Sequence, residues 1–478
     1  MAPSQSGAHT DAPRGSSLLA ALRSPRALIA HVRRDSLIRN SGYIMAVTIV
    51  TSALGFAFWL VAARRYSADE VGLSAALVSA MTLASLLTNL GINTALVQML
   101  PPRAAGRDWS ATLTAGVLCG VLSSVLGGAL TVVLLPAISH RFALLEHSLG
   151  YVTVFVGGVA LTTAANLLDY ACIAERRAEK TLIRNTVFSL VKIPVLFIPF
   201  VVAMGTFGIF FAWVAATGVT VAVAAAMVPG LGRGYRLGLA GVRSEVRRLG
   251  TYIAGHHSIN IGNFAPWWLL PVFVTVQVSA AATAYFYATW RVCGMLTLIS
   301  PSVASALTAE GAHSPARLWQ TAARSQRTIF TMLIPACVLV AASGHWILAA
   351  FGPEYASEGF PLLLLFTVAA LPDSVMDVWV AVLRVEGRLR FGSWLQLGTA
   401  ALALGLAWVL LPPMGIAGAG VGWLASRVVG AALVAWDYGR QRRARTESAT
   451  IAEQGQAGGL DPLGEQRAAA SDHQVMPA

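Results

Sequence analysis

Residues 112–135 read TLTAGVLCGVLSSVLGGALTVVLL, 24 consecutive residues without a charge. As a helix this run would be about 36 Å long, enough to cross a hydrocarbon core of about 30 Å. It is apolar all round, and a helix of that kind must be buried on every side. Eleven comparable stretches accompany it, near 42–63, 71–99, 150–173, 185–203, 207–229, 251–277, 282–307, 328–350, 359–383, 391–411 and 415–437. The expected fold class is therefore an all-α integral membrane protein with 12 transmembrane helices. Composition points the same way: only 12% of the 478 residues are charged and 56% are hydrophobic, with a mean hydropathy of +0.65. So few charges cannot solvate a soluble surface of this size.

The basic residues set the orientation. Of the 34, six lie in the N-terminal tail (Arg14, Arg23, Arg26, Arg33, Arg34 and Arg39) and five in the C-terminal tail. The gaps after the second, fourth, sixth, eighth and tenth helices hold two, four, five, three and three. The opposite gaps hold only Arg64, Arg65 and Arg141, so the positive-inside rule places both termini in the cytoplasm of a multi-pass plasma-membrane protein. The net charge of +12 then reads as an orientation signal and as attraction to anionic headgroups, with no nucleic-acid partner implied. Two lysines against 32 arginines, with abundant Ala and Gly, suggest a GC-rich bacterial genome.

The first 40 residues lack the apolar core of a cleavable signal peptide. Residues 17–39 alternate Leu, Ile and Val with Arg, which fits a surface amphipathic helix or a disordered basic tail equally well. Residues 439–478, rich in Gly, Ala, Gln and Glu, read as a disordered cytoplasmic tail. Cys119, Cys172, Cys293 and Cys337 fall within spans and lack metal-ligand spacing, so neither disulfide nor metal is expected. No nucleotide-binding loop or nucleophile elbow occurs, and no enzymatic activity or cofactor is expected.

The chain also repeats. Met204-Gly205-Thr206-Phe207-Gly208 with Trp213 and Ala215 matches Met414-Gly415-Ile416-Ala417-Gly418 with Trp423 and Ala425, offset by 210. The exit of the fourth helix, Ile173 to Arg177, matches that of the tenth, Leu383 to Arg388, at 210 or 211, and 67–75 matches 279–287 at 212. Three matches at nearly one offset predict two parallel six-helix bundles, 41–230 and 251–438, joined by a cytoplasmic linker at 231–250. A substrate site is expected between them near the midplane.

The segment from Leu60 to Leu73, LVAARRYSADEVGL, followed by Leu90 to Gln98 and a Leu100-Pro101 exit, resembles the opening of Wzx-type polysaccharide flippases. Ala174-Glu175-Arg176-Arg177 leading to Asn185 and to Val187 through Lys192 resembles a second recurring segment of that family. The likeness covers about residues 38–440 and implies a fold like that of the MATE transporters, in the multidrug/oligosaccharidyl-lipid/polysaccharide exporter superfamily. It implies translocation of undecaprenyl-diphosphate-linked oligosaccharides to the outer leaflet. Many relatives end the seventh helix in an acidic-basic pair, whereas Trp267 to Val278 is uncharged here, so ion coupling at that point is in doubt. The 14 helices of the lipid II flippase branch are also not found.

Ionisable groups at the bilayer centre cost about 2.5–3.5 kcal/mol and normally face a cavity or a partner. Six fall within the spans. Arg291, about ten residues into the eighth helix, suits bidentate contact with a diphosphate; pairing with an Asp of another helix is the alternative. Lys192, on a helix interrupted by Pro194 and Pro199, either faces the cavity or snorkels. Arg427 either binds substrate or packs beside Gly418-x-x-x-Gly422. Asp373 and Asp377 share one face of the tenth helix after Pro372, suited to carrying a coupling proton or sodium ion or to neutralising Arg291 or Arg427. Asp169 reads as an interfacial charge.

Asn260, Asn263 and Trp267, with His256, form a polar stripe on the seventh helix, and Asn89 and Asn93 repeat it on the second. Such stripes bind sugar hydroxyls or make interhelical hydrogen bonds, while His256 alone fits a packing residue better than a proton carrier. Gly116-x-x-x-Gly120 reads as close helix packing. Two functions are expected in order: a flippase for a lipid-linked oligosaccharide working beside glycosyltransferases and a polysaccharide polymerase, or a proton- or sodium-coupled drug or metabolite antiporter. A scaffold for glycan-synthesising enzymes lacks its soluble domain.

Overall fold

The computed structural model describes the backbone of residues 36–458 apart from 232–233, 237, 239–240 and 315–316. Side chains are described over the same range except at 36–49, 251–264, 313, 389 and 444–458. The predicted amphipathic segment at 17–39 and the end of the tail at 459–478 thus fall largely or wholly outside the described residues.

Every regular element among the described residues is helical. The first half comprises α1 (Ser36–Arg65), α2 (Ala68–Thr88), α3 (Ile92–Met99), α4 (Arg107–Ile138), α5 (Leu149–Ala174), α6 (Ala178–Val195), α7 (Pro199–Ala203) and α8 (Thr206–Met227). The second comprises α9 (Val242–Gln277), α10 (Ala280–Cys293), α11 (Ile299–His313), α12 (Leu318–Ala349), α13 (Pro353–Val385), α14 (Leu389–Met414) and α15 (Ile416–Gly458). Among the described residues eight helices are long and apolar enough to cross a bilayer, and α10 with α11, bent by 42°, can make a ninth. The other three expected spans differ for identifiable reasons. α1 and α9 are described only in part, and α6 carries Lys180, Arg184 and Lys192 and ends at Val195, with the helix resuming at Pro199.

Several expected boundaries also move. The second span is broken at Leu90 and Gly91, both with positive φ (54° and 80°), and Asn89 Oδ1 accepts the Asn93 N–H of the new helix at 3.3 Å. The linker at 231–250 is helical from Val242, because Glu245 is anchored by Arg103 at 2.5 Å and by Thr112 Oγ1 at 3.1 Å. The last helix continues to Gly458, well into the segment expected to be disordered. Near the start of that segment, Asp437 accepts Arg388 Nη1 and Nη2 at 2.9 Å each and Gln441 Nε2 at 3.0 Å, which fixes the helix where it leaves the bundle.

The sequence repeat has a conformational counterpart. At the end of α5, Arg177 N–H reaches back to Cys172 O (2.8 Å) over Arg176, whose φ is +57°. At the end of α13, Arg388 N–H reaches Leu383 O (2.9 Å) over Gly387, whose φ is +72°. Both are the six-to-one closure of a helix that ends on a left-handed residue. Gly205 and Gly415, with φ of +54° and +57°, open α8 and α15, and in each case the N–H three residues on bonds the glycine carbonyl at 3.0 Å. Ser67 and Ser279 cap α2 and α10 through their hydroxyls. Packing partners recur as well: α1 with α6 as α9 with α14, α4 with α5 as α12 with α13, and α5 with α8 as α13 with α15.

Small residues set the closest approaches. A Cβ on Gly116 or Gly120 would lie 2.9 Å or 2.5 Å from Leu96 or Leu167, in keeping with the packing role read from their spacing. On Gly418 it would lie 2.3 Å from Leu410 O, so α15 rests on the backbone of α14. Across the halves, α2 meets α10 at Gly72, where a Cβ would come within 1.7 Å of Ala280 O. The obstacle is backbone and cannot rotate away, so Gly72→Val is expected to separate these helices and to cost several degrees in melting temperature. A thermal unfolding scan of purified protein checks this, with Gly55→Val, whose Cβ position is open, as the control.

The largest apolar cluster joins the halves, with Phe58, Trp59 and Ala75 from one and Phe286, Tyr287, Leu362 and Trp423 from the other. Leu122, Leu126, Leu130 and Val133 of α4 and Val338, Leu339 and Trp346 of α12 form exposed apolar faces, as lipid-contacting helices require.

Candidate functional site

The helix α10 ends at Cys293, and a short 3₁₀ turn at Leu296–Leu298 leads to α11. Beside this bend lies a cavity of about 580 Å3. Its described lining comes from α9, α10, α11, α13, α14 and α15, with Ser52 the one contribution from the first half. Apart from Ser52, the described lining of this cavity therefore comes from the second half. From Trp267 and Arg291 it extends to Ser305 and Arg384, toward the end of the bundle that carries the basic loops.

Arg291, Arg427, Asp373 and Asp377 all line this space. Arg291 Nη2 donates to Tyr287 Oη at 2.5 Å, and the guanidinium carbon lies 4.9 Å from the Tyr287 ring centre. No carboxylate pairs with Arg291 among the described residues, and its Nε is buried without a hydrogen-bond acceptor. Tyr287 precedes it by four residues, one turn along α10, so the phenol holds one tip of the guanidinium fork at the cavity wall.

Arg427 is held differently. Its Nη1 lies 3.2 Å from Asp373 Oδ1, and its guanidinium carbon sits 4.2 Å from the Trp423 ring centre. Of the two cations open to the Asp pair, Asp373 takes Arg427, while Asp377 lies one turn further on with Arg384 beyond it. Trp267 and Trp290 pack with ring centres 4.3 Å apart and Trp423 is 5.1 Å from Trp290, making an aromatic wall next to the Asp373–Arg427 pair.

Lys192 is not part of the lining. It is 2% exposed, with its Nζ 5.1 Å, 4.5 Å and 4.4 Å from the ring centres of Phe58, Phe188 and Trp213. An ammonium among three aromatic faces is stabilised by cation–π attraction. Neither a cavity-facing nor a snorkelling position describes it. One residue from Phe58, Trp59 packs on Tyr287 at 4.8 Å, so a single aromatic layer separates the Lys192 cage from the Arg291 site. Trp213 and Trp423, equivalent in the repeat, each carry a cation.

The remaining sequence candidates lie elsewhere. Asn89 Nδ2 donates to Asn93 Oδ1 at 2.8 Å, and both sit at the break between α2 and α3, apart from the cavity lining. Asn260, Asn263 and His256 are on α9, but their side chains lie outside the described residues. Asp169 is no simple interfacial charge: Arg184 grips both its oxygens, Nε at 2.7 Å from Oδ1 and Nη2 against Oδ2, with Asn185 Nδ2 at 3.3 Å. In the first half, the positions equivalent to Asp373 and Arg427 carry Thr163 and Thr217. Thr163 Oγ1 is buried between Ser85 Oγ at 2.8 Å and Ser124 Oγ at 2.6 Å.

Tyr287, Trp290 and Arg384 are site residues that the sequence pattern did not single out. The first two flank Arg291 on its own helix, one turn and one residue away, and i, i+4 spacing from Arg291 is the available signal for Tyr287.

No protein-family model and no curated protein matches the sequence. Solved structures do match. An inward-facing multidrug resistance MATE family transporter of the MOP superfamily is similar over 85% of this chain and 99% of its own, at 14% identity and a TM-score of 0.61. The lipid II flippase MurJ in an inward closed conformation is similar over 83% and 87%, at 10% identity and a TM-score of 0.67. An outward-facing MATE transporter of the same superfamily gives 14% identity and a TM-score of 0.54 over 86% and 96%. The chain thus has the fold shared by the MATE transporters and the lipid II flippase, that of a multi-pass helical membrane protein.

Proposed function

We propose that this protein is a flippase that moves a polyprenyl-diphosphate-linked oligosaccharide to the outer leaflet by alternating access. In this reading it has 12 transmembrane helices in two six-helix bundles, with both termini in the cytoplasm of a bacterial plasma membrane. The observation that carries the reading is Arg291, a guanidinium facing a cavity with no carboxylate partner among the described residues. A cation held this way in low dielectric lacks its counter-ion, and a phosphate oxygen supplies one. Arg427 is reachable but already shared with Asp373, so it would assist after its carboxylate lets go. The neighbouring aromatic wall offers faces for sugar rings, and the lipid chain would remain in the bilayer. The protein performs no chemistry on its cargo, and its partners are the glycosyltransferases and polymerase that make and consume the glycan.

The fold of a superfamily that contains both MATE transporters and a lipid II flippase supports either cargo class, and one feature favours the second reading. Asp373 and Asp377 line the same space, so a cationic solute exchanged for protons or sodium ions could use them. Reconstituted vesicles separate the two. A fluorescently labelled polyprenyl-diphosphate oligosaccharide is expected to become accessible in the opposite leaflet only when the protein is present. Accumulation of a fluorescent cation driven by an imposed pH or sodium gradient, with no movement of the lipid-linked probe, would replace the flippase by the antiporter.

A further inference from the structure

On the face opposite the basic loops, contacts from the first half converge on helix ends of the second. Arg64, at the end of α1, donates from Nε to Ala350 O at 2.6 Å and from Nη2 to Ala349 O at 3.4 Å, the carbonyl end of α12. Arg141, in the 3₁₀ turn after α4, donates from Nη1 to Thr275 O and from Nη2 to Val278 O at 2.8 Å, the carbonyl end of α9. Asp69, in the first turn of α2, accepts the Ala281 N–H at 3.1 Å from the first turn of α10. Charge signs match helix polarity at all three points: cations on carbonyl ends and an anion on an amide end.

We propose that Arg64 and Arg141 form a double latch that holds the two halves together on the outer face and must release for the cavity to open there. The proposal rests on the alternating-access reading but not on the identity of the cargo. Two features make these residues suited to the task. They are two of just three basic residues assigned to that side, and both spend their donors on backbone of the other half. Their partners are main-chain carbonyls, which keep their hydrogen-bonding capacity whatever side chain stands there, and an exposed guanidinium such as that of Arg64 exchanges them for water at small cost. The close approach at Gly72 and Ala280, at the same end, supplies the pivot. A helix-end interface held by a few polar contacts is the kind of contact that switches between two arrangements.

The test is a distance measurement on the full chain in lipid nanodiscs without cargo. Spin labels are placed at Leu149→Cys and Ser357→Cys, exposed positions near the outer ends of α5 and α13, with the four native cysteines replaced. The unaltered latch is expected to give one short distance. In Arg64→Ala with Arg141→Ala, the ratio of long to short distances is expected to rise about tenfold. Arg64→Lys with Arg141→Lys keeps charge but loses the fork and is expected to fall between the two, which also guards against a double-alanine protein that folds poorly. An unchanged distribution in both pairs of variants overturns the latch. If the lipid-linked probe is not transported while the distances still shift, the cargo reading fails and the latch stands; if transport is normal and the distances do not change, the latch fails and the cargo reading stands.

Discussion

Arg291→Ala is expected to abolish appearance of the glycan on the outer side while protein abundance stays at the wild-type level. Removing one member of a desolvated charge pair costs roughly 2–5 kcal/mol, a loss of about thirtyfold to several thousandfold in rate if the contact persists through translocation. Arg291 can carry an effect of that size because it enters the cavity without a carboxylate partner, so a phosphate meets a cation that need not first break an ion pair. Arg291→Lys should retain part of the activity, since an ammonium keeps the charge but not the planar fork. Tyr287→Phe removes the 2.5 Å hydrogen bond and leaves the ring under the guanidinium, so it should lower export only modestly. Surface glycan staining beside an immunoblot of the membrane fraction measures both quantities. Wild-type export by the alanine variant would remove Arg291 from the path.

Asp169→Ala should be the most destabilising single change at the end of the bundle that carries the basic loops. Arg184 has a side chain only 8% exposed and commits its Nε and Nη2 to that carboxylate, so truncation leaves a buried guanidinium without its counter-ion and with only the neutral Asn185 Oδ1, 3.0 Å from Nη2, in its place. Breaking such a pair by removing one partner costs about 3–5 kcal/mol, whereas replacing both by apolar groups is often neutral. Asp169→Leu combined with Arg184→Met is therefore expected to recover much of the lost melting temperature. If the single variant melts like the wild type, the pair is dispensable. The double variant also separates a structural role from a functional one, because export should return with stability.

The membrane class and the helical content are legible in the sequence, because each is written in local pattern: apolar run length and charge in alternate gaps. The motifs matched at an offset of about 210 are legible too, but the left-handed turns that some of them form are seen only in three dimensions. Lys192 shows where that legibility ends. Its position in a span is plain, but its cage comes from Phe58, Phe188 and Trp213 on three different helices, and linear spacing carries no information on which rings meet. Arg184 misleads in the opposite direction. Charge along the chain groups it with the loop cations that orient the protein, yet it is buried on α6 against Asp169. The positive-inside rule is blind to burial. Asn89 and Asn93 look like a sugar-binding stripe because four-residue spacing places them on one helix face, but the helix breaks between them at Leu90 and Gly91. Asp373 can neutralise Arg427 or Arg291 as far as linear spacing goes, and only the third dimension selects Arg427.

The threonine that stands where the repeat would put Asp373 has a consequence for how the molecule divides its labour. Thr163 joins Ser85 and Ser124 in a dry knot of hydroxyls, and Thr217 occupies the place of Arg427. At these two positions the first half carries hydroxyls where the second half carries an ion pair on the cavity wall. Grafting Asp and Arg together onto positions 163 and 217 would then be an attempt to give the first half a berth of its own, and its tolerance would measure how far the two copies have specialised.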